Sequence, residues 1–159
     1  MSLNFHADLA TGRKAEYDVA DIFKLAGFHT TVLPDTDLFS SHDIEVQHPE
    51  GSLKTIEVKS DHIAPYTKNV AVEFQKRKDN KIIPSGISIS NADYIVYCFP
   101  QHPSFYLIPL PDLLSLLSNK KYKYTRWGGD ENISHLALFD FDFFKKECVA
   151  INANVLKRI

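Results

Sequence analysis

Asp43, Glu57 and Lys59 are the residues whose types and spacing could do chemistry. Asp43-Ile44-Glu45-Val46-Gln47 alternates polar and apolar, His48-Pro49-Glu50-Gly51-Ser52 is rich in turn formers, and Lys54-Thr55-Ile56-Glu57-Val58-Lys59 alternates again. This pattern predicts an antiparallel hairpin. Successive strand side chains point to opposite faces, so packing Ile44, Val46, Ile56 and Val58 on a core leaves Asp43, Glu57 and Lys59 on the other side. Two carboxylates beside an ammonium suit metal-assisted hydrolysis of a phosphodiester. Hard oxygen donors hold Mg²⁺, with Mn²⁺ as a substitute, and a lysine can place the attacking water and offset developing charge. Asp43 and Glu57 are therefore the expected metal ligands, with the Val58 carbonyl as a further donor.

Several elements must hold that hairpin in place. Ala15, Val19, Ile22, Phe23 and Ala26 recur at helical spacing from Gly12 to Ala26, and Gly27 supplies a stop. Phe28–Leu33 is rich in β-branched residues and predicts a short strand before the turn Pro34–Asp37. Strands are expected at Val70–Gln75, at the strongly apolar Ala92–Phe99 and at Phe105–Ile108. A short helix is expected at Pro111–Leu117 and a last one at Phe143–Ile151. The fold class is thus α/β, a mixed sheet flanked by helices. With 159 residues, 44% hydrophobic and 12% aromatic, and no repeat or linker, a single domain spanning residues 1–159 is expected.

Asp43, thirteen intervening residues and then Glu57-Val58-Lys59 resembles the Asp…Glu-x-Lys signature of the PD-(D/E)XK nuclease superfamily, which includes restriction enzymes, Holliday-junction resolvases and phage recombination nucleases. The acid-x-Lys motif alone is short. The order of elements from Gly12 to Pro109 also matches the superfamily core, which implies a restriction-endonuclease-like fold. Many members carry a glutamate on the first helix that leans over the metal site, and Glu16 holds the corresponding place. At about 100° per residue Glu16 and Phe23 differ by roughly 20° around the helix, so Glu16 borders the apolar stripe. It is equally well read as a first-turn glutamate favourable to the helix dipole.

The stretch after Lys59 resembles small phage-encoded nucleases of the superfamily: Glu-Val-Lys-Ser-Asp, then Val-Glu-Phe-Gln, then Pro-Ser-Gly-Ile-Ser-Ile-Ser-Asn-Ala-Asp-Tyr. The resemblance implies that Asp61, Glu73, Gln75, Ser85 and Gly86 surround the site. By alternation Glu73 and Gln75 share a strand face, as metal, phosphate or Lys59 contacts or as a solvated surface. Ser85-Gly86 is either a close backbone approach to phosphate or a simple turn. The proline-aspartate dipeptide itself, Pro34-Asp35, falls in a predicted turn ahead of Asp43. Asp43 is therefore the preferred ligand, with Asp35 and Glu45 as its neighbours in sequence.

The remaining features bound the function. The formal net charge of −2 and the isoelectric point near 6.4 exclude a protein that coats nucleic acid by bulk charge, yet two basic patches stand out. Lys76-Arg77-Lys78 with Lys81 is one, and Lys120-Lys121-Tyr122-Lys123 with Arg126 the other; Lys76 and Arg126 are candidate DNA contacts. His6, His29, His42, His48, His62, His102 and His135 lack zinc-site spacing, though His42 and His62 lie near the proposed centre. Cys98 and Cys148 are expected to be buried free thiols. No Gly-rich phosphate loop is present, so no nucleotide cofactor is expected, and no apolar run is long enough to span a membrane. The absence of a secretory leader points to a cytoplasmic protein. The aromatic run Leu138–Phe144 is a candidate homodimer interface.

The expectation is a metal-dependent DNA endonuclease, structure-selective towards branched DNA such as Holliday junctions, in which a homodimer supplies two active sites. The alternative is a nuclease-fold nucleic-acid-binding or assembly protein without turnover.

Overall fold

The computed structural model describes residues 3–34 and 42–158, and side chains from residue 12 onward within the first helix. Asp35 and the turn residues that follow it lie outside the described residues.

Helix α1 (Leu3–Leu25) is followed by β1 (His29–Val32), β2 (Ile44–Gln47) and β3 (Leu53–Ser60). A short helical turn, α2 (Ala64–Thr67), leads into the long β4 (Asn69–Lys78) and then β5 (Lys81–Pro84). Next come a 3-10 turn at Gly86–Ile89, β6 (Tyr94–Cys98), β7 (Phe105–Pro109), α3 (Leu110–Ser118) and β8 (Tyr124–Gly128). The chain ends with β9 (Ser134–Asp140), α4 (Phe141–Glu147), β10 (Val149–Ile151) and α5 (Ala153–Leu156). Two sheets form. The larger has the order β1-β2-β3-β6-β7-β10, with β3 and β6 parallel and the other pairs antiparallel; the smaller has the order β5-β4-β9-β8, antiparallel throughout.

The larger sheet is the middle layer. On one face Ile44, Val46, Ile56, Val96, Cys98 and Leu107 pack against Ala15, Val19 and Phe23 of α1 and Leu156 of α5. On the other, Ile95, Tyr97, Phe99 and Ile108 pack against Val70, Val72, Ala137 and Phe139 of the smaller sheet, with Leu113 of α3 and Phe144 of α4 closing the layer. Burial of these apolar side chains, at roughly 1.5–3 kcal/mol each, is the main force holding the layers together. The stripe expected for α1 is the one that packs, and Gly27 ends the helix at φ +97°, a conformation open to glycine.

Three expectations need correction. Helix α1 begins at Leu3, nine residues ahead of Gly12, which the helix takes into its interior with nothing within 4 Å of an added Cβ. The expected last helix stops at Glu147, because Val149–Ile151 forms a β-branched edge strand on β7. The aromatic run does not offer an exposed surface: Phe139, Phe141 and Phe144 are at most 1% exposed, with Phe141 edge to face on Phe99, Phe144 on Tyr97 and Phe139 on Tyr122.

Candidate active site

The expected antiparallel hairpin forms, with Ile44 opposite Ile56 and Gln47 opposite Leu53. Because Ile44, Val46 and Ile56 turn towards α1, Glu57 and Lys59 turn towards the smaller sheet. Asp43 sits one residue before β2. Its backbone N–H donates to the Ile56 carbonyl (2.9 Å), and its carbonyl accepts from the Leu33 N–H (2.9 Å). Its side chain then replaces the missing strand partner of β3, with Oδ2 accepting from the Val58 N–H at 2.7 Å. Asp43 is thus fixed by backbone on three sides, and its other carboxylate oxygen, Oδ1, accepts no hydrogen bond from a described residue.

Glu57 is held through both oxygens. Oε1 forms an ion pair with Lys59 Nζ, and Oε2 accepts from the Ser90 hydroxyl at 2.6 Å. Its side chain is 16% exposed, whereas that of Lys59 is 42% exposed at the rim. Burial pushes the Asp43 carboxyl above its ordinary value; the Val58 N–H pulls against this, the Glu57 charge adds to it, and Lys59 and His42 oppose it. His42 lies beside this centre, with Nε2 3.1 Å from Glu45 Oε1. Two carboxylates crowded in a partly dry site are what a divalent cation relieves. Mg²⁺ keeps several waters and takes one or two protein carboxylates, so Asp43 and Glu57 suffice as a donor set. Among the described residues no cluster of three or more His, Cys, Asp or Glu side chains forms a fuller cage.

Beside Lys59 lies a cleft of about 280 Å³ between the two sheets, lined by Ser60, Asp61, Glu73, Gly86, Tyr97 and Leu136 among others. Of the further candidates, Asp61, Glu73 and Gly86 therefore border the same opening as Lys59. Each also has structural work. Asp61 Oδ1 accepts from the N–H groups of Ile63 (3.1 Å) and Ala64 (2.9 Å) and caps α2. Glu73 Oε1 accepts from the buried Ser85 hydroxyl at 2.7 Å. Gly86, at φ +54°, approaches the strand so closely that an added Cβ would stand 2.3 Å from the Glu73 carbonyl oxygen, so its close approach is to protein backbone.

Gln75 is not in the cleft. A β-bulge between Glu73 and Gln75 breaks the alternation, and Gln75 turns to the opposite face, where its amide contacts His135 Nδ1 at 2.6 Å. Lys76 and Arg126 lie on β4 and β8 of the smaller sheet. Glu16 is 15% exposed and pairs with Arg13 at 2.6 Å; Arg13 also donates to the Leu33 carbonyl at 2.8 Å, and the Leu33 N–H reaches the Asp43 carbonyl. Helix α1 is thereby tied to the end of β2 from the side opposite Glu57. Cys98 and Cys148 are free, and burial pushes both thiols up to about 12, which keeps them protonated and unreactive.

Two residues at the site were not singled out by the sequence, although Ser90 lies within the stretch Pro84–Tyr94. Ser90 orients Glu57, and Tyr97 lies opposite Lys59 in the parallel β3–β6 pair and lines the cleft. Burial pushes the Tyr97 phenol well above its ordinary value, with Cys148, Glu57 and Asp61 adding to it, so it remains a neutral hydroxyl. Alternation within Ala92–Phe99 gave the available signal for Tyr97, since Ile95, Tyr97 and Phe99 share a face.

No protein-family model and no curated protein matches the sequence. Among solved structures, a bacterial homing endonuclease is similar over 65% of this chain and 70% of its own, at 22% identity and a TM-score of 0.51. The Holliday junction resolvase Hjc of Archaeoglobus fulgidus, an archaeal hyperthermophile, is similar over 91% of this chain and 94% of its own, at 15% identity and a TM-score of 0.50. The restriction-endonuclease-like fold, a mixed sheet flanked by helices, is therefore the fold of this chain.

Proposed function

We propose that this chain is a metal-dependent DNA endonuclease that hydrolyses phosphodiester bonds at Asp43, Glu57 and Lys59. The observation that carries the reading is that Asp43 interacts electrostatically with Glu57 and Lys59, that Glu57 pairs with Lys59, and that Lys59 lines the cleft, on a fold shared with two nucleases. Asp43 and Glu57 would hold Mg²⁺ or Mn²⁺, with the Val58 carbonyl as a further donor. When bound, the ion supplies Lewis-acid activation of the phosphate and lowers the pKa of coordinated water.

The chain's own groups do the positioning. The Val58 N–H and the Ser90 hydroxyl fix the two carboxylates, so little reorganisation is needed when phosphate arrives. Lys59 Nζ, held by Glu57 and open to the cleft, orients the attacking water and offsets charge on the phosphoryl oxygens. Tyr97 can donate its retained proton to a phosphate oxygen in the cleft. His42, whose charge acts on Asp43, and Glu16, linked to Asp43 through Arg13 and the Leu33 backbone, are proposed as supporting groups, and Asp61, Glu73, Ser85 and Gly86 as the cleft wall. Selectivity for branched DNA such as a Holliday junction is proposed on the likeness to a junction resolvase, and a homodimer would place two such sites on two strands. The described residues hold no helix long and apolar enough to cross a membrane.

The test is cleavage of labelled linear duplex, single strand, splayed arm and four-way junction by the wild type and Lys59→Ala, with Mg²⁺, Mn²⁺ or EDTA. Metal-dependent cutting lost in Lys59→Ala is the expected result. Silence of both proteins across the panel, with DNA binding retained, would instead establish a non-catalytic DNA-binding protein.

A further inference from the structure

The bulge that removes Gln75 from the cleft also decides which cations face it. On β4 the register runs Glu73 opposite Leu136, then Gln75 opposite His135 and Lys76 opposite Ser134. Ser134, Leu136 and Leu138 share one face of β9, so Glu73 and Lys76 share that face on β4 although they are three residues apart. Lys78 follows by alternation, and Lys81 is its partner on β5. On β8, Arg126 is opposite Leu136 and Tyr124 is opposite Leu138, which places both on the same face.

One surface of the smaller sheet, the one turned away from the larger sheet, therefore carries Lys76, Lys78, Lys81 and Arg126, and its Ala71, Glu73 and Leu136 reach the Lys59 cleft, which Val72 of the packed face also lines. Lys78, Lys81 and Arg126 are exposed, and Lys76 is half-buried. None of the four makes an ion pair with a described residue. The one carboxylate among them in the ladder, Glu73, is at the cleft end and is bonded to Ser85.

The opposite face, which packs on the larger sheet through Val70, Val72, Ala137 and Phe139, is built differently. There Arg77 lies over the Trp127 ring (4.1 Å), Trp127 stacks on His135 (4.3 Å between centroids, 9° between planes), and His135 meets Gln75 and Phe74. Its one cation is spent on an aromatic ring. In a chain of net charge −2, four unpaired cations on a single face leading from the cleft are a local concentration that bulk composition conceals.

We propose that this face is a track for the phosphate backbone of DNA, which holds a duplex arm across the smaller sheet while one strand enters the Lys59 cleft. The inference rests on the nuclease reading for its substrate, and it adds where the uncut part of that substrate lies. Rows of lysine and arginine on a sheet contact phosphates without reading bases, so the track fixes position rather than sequence. Tyr124, 47% exposed beside Arg126, adds a flat apolar surface at the outer edge.

The experiment is binding of a labelled linear duplex in EDTA, which prevents cutting, over a series of salt concentrations. It compares the wild type with the double variant Lys76→Ala/Arg126→Ala, the charge-preserving Lys76→Arg/Arg126→Lys, and Arg77→Ala on the opposite face. The double alanine variant is expected to bind about tenfold more weakly and to lower the slope of log K against log salt by about 2, one unit for each lost phosphate contact. The charge-preserving variant should restore both quantities, which a folding defect would not allow, and Arg77→Ala should leave the slope unchanged. A wild-type slope retained by the double alanine variant, or lost in Arg77→Ala, would overturn the track and leave the nuclease reading standing. Absence of binding by the wild type would overturn both.

Discussion

The two ends of the cleft handle charge in opposite ways. At the hairpin end, every candidate group is partly buried and held: Asp43 by the Val58 N–H, Glu57 by Lys59 and Ser90. On the smaller sheet the cations are largely exposed and bound to no described carboxylate. The first arrangement costs stability, since burial and a neighbouring carboxylate both oppose the charge on Asp43. The second costs little and acts over about a Debye length. Precise chemistry and tolerant docking are thus built on separate sheets, and changes in each should move different observables.

The largest effect should come from the held end. Lys59→Ala should lower single-turnover cleavage by about 10²–10³-fold while duplex binding in EDTA stays near the wild-type value. A loss of binding as large as the loss of rate would erase the distinction between the two ends. The wall between them should be the next most sensitive. Gly86→Ala places a Cβ against the Glu73 carbonyl at a positive φ, so urea denaturation should show a loss of about 2–4 kcal/mol. A neutral outcome would show that the 3-10 turn can shift away from β4.

Smaller effects sharpen the same contrast. Ser90→Ala removes the donor to Glu57 Oε2 and should weaken Mn²⁺ binding by about tenfold, measured by titration calorimetry, without altering the salt dependence of DNA binding. Asp43→Asn keeps an acceptor for the Val58 N–H and removes the charge. Because the Asp43 pKa is raised in the folded state, folded protein binds the proton more tightly than unfolded chain between 3.8 and the folded value. Its favourable contribution is present below 3.8 and lost as pH rises through the folded value. Asp43→Asn should therefore melt about 1–3 °C higher than wild type near neutral pH without metal, and the difference should vanish in acid.

Much of this was legible in the sequence where alternation was unbroken. The hairpin carrying Asp43, Glu57 and Lys59 follows from apolar residues at every second position, and β2 and β3 pair antiparallel. The α1 stripe was legible for the same reason, with Ala15, Val19 and Phe23 buried as their spacing requires. Reading failed where one residue shifted the period. The bulge at Phe74 leaves no mark in composition, yet it exchanges Gln75 for Lys76 on the face that carries Glu73. It also failed where tertiary partners decided the outcome: Val149–Ile151 continues a helical pattern in isolation but finds β7 as a neighbour, and the aromatic run is absorbed by a core between two sheets. Ser90 could not be found from spacing, because its contact with Glu57 depends on how the 3-10 turn returns to β3.

The most direct test of the central claim is cleavage of a four-way junction and a linear duplex by wild type and Asp43→Asn, in Mg²⁺ and in EDTA, with melting curves recorded on the same samples. Cutting by the wild type in Mg²⁺ alone, beside a variant that is folded and silent, is the result predicted for a metal site built on Asp43. Cutting that persists in EDTA, or a variant that cuts as fast as the wild type, would contradict it.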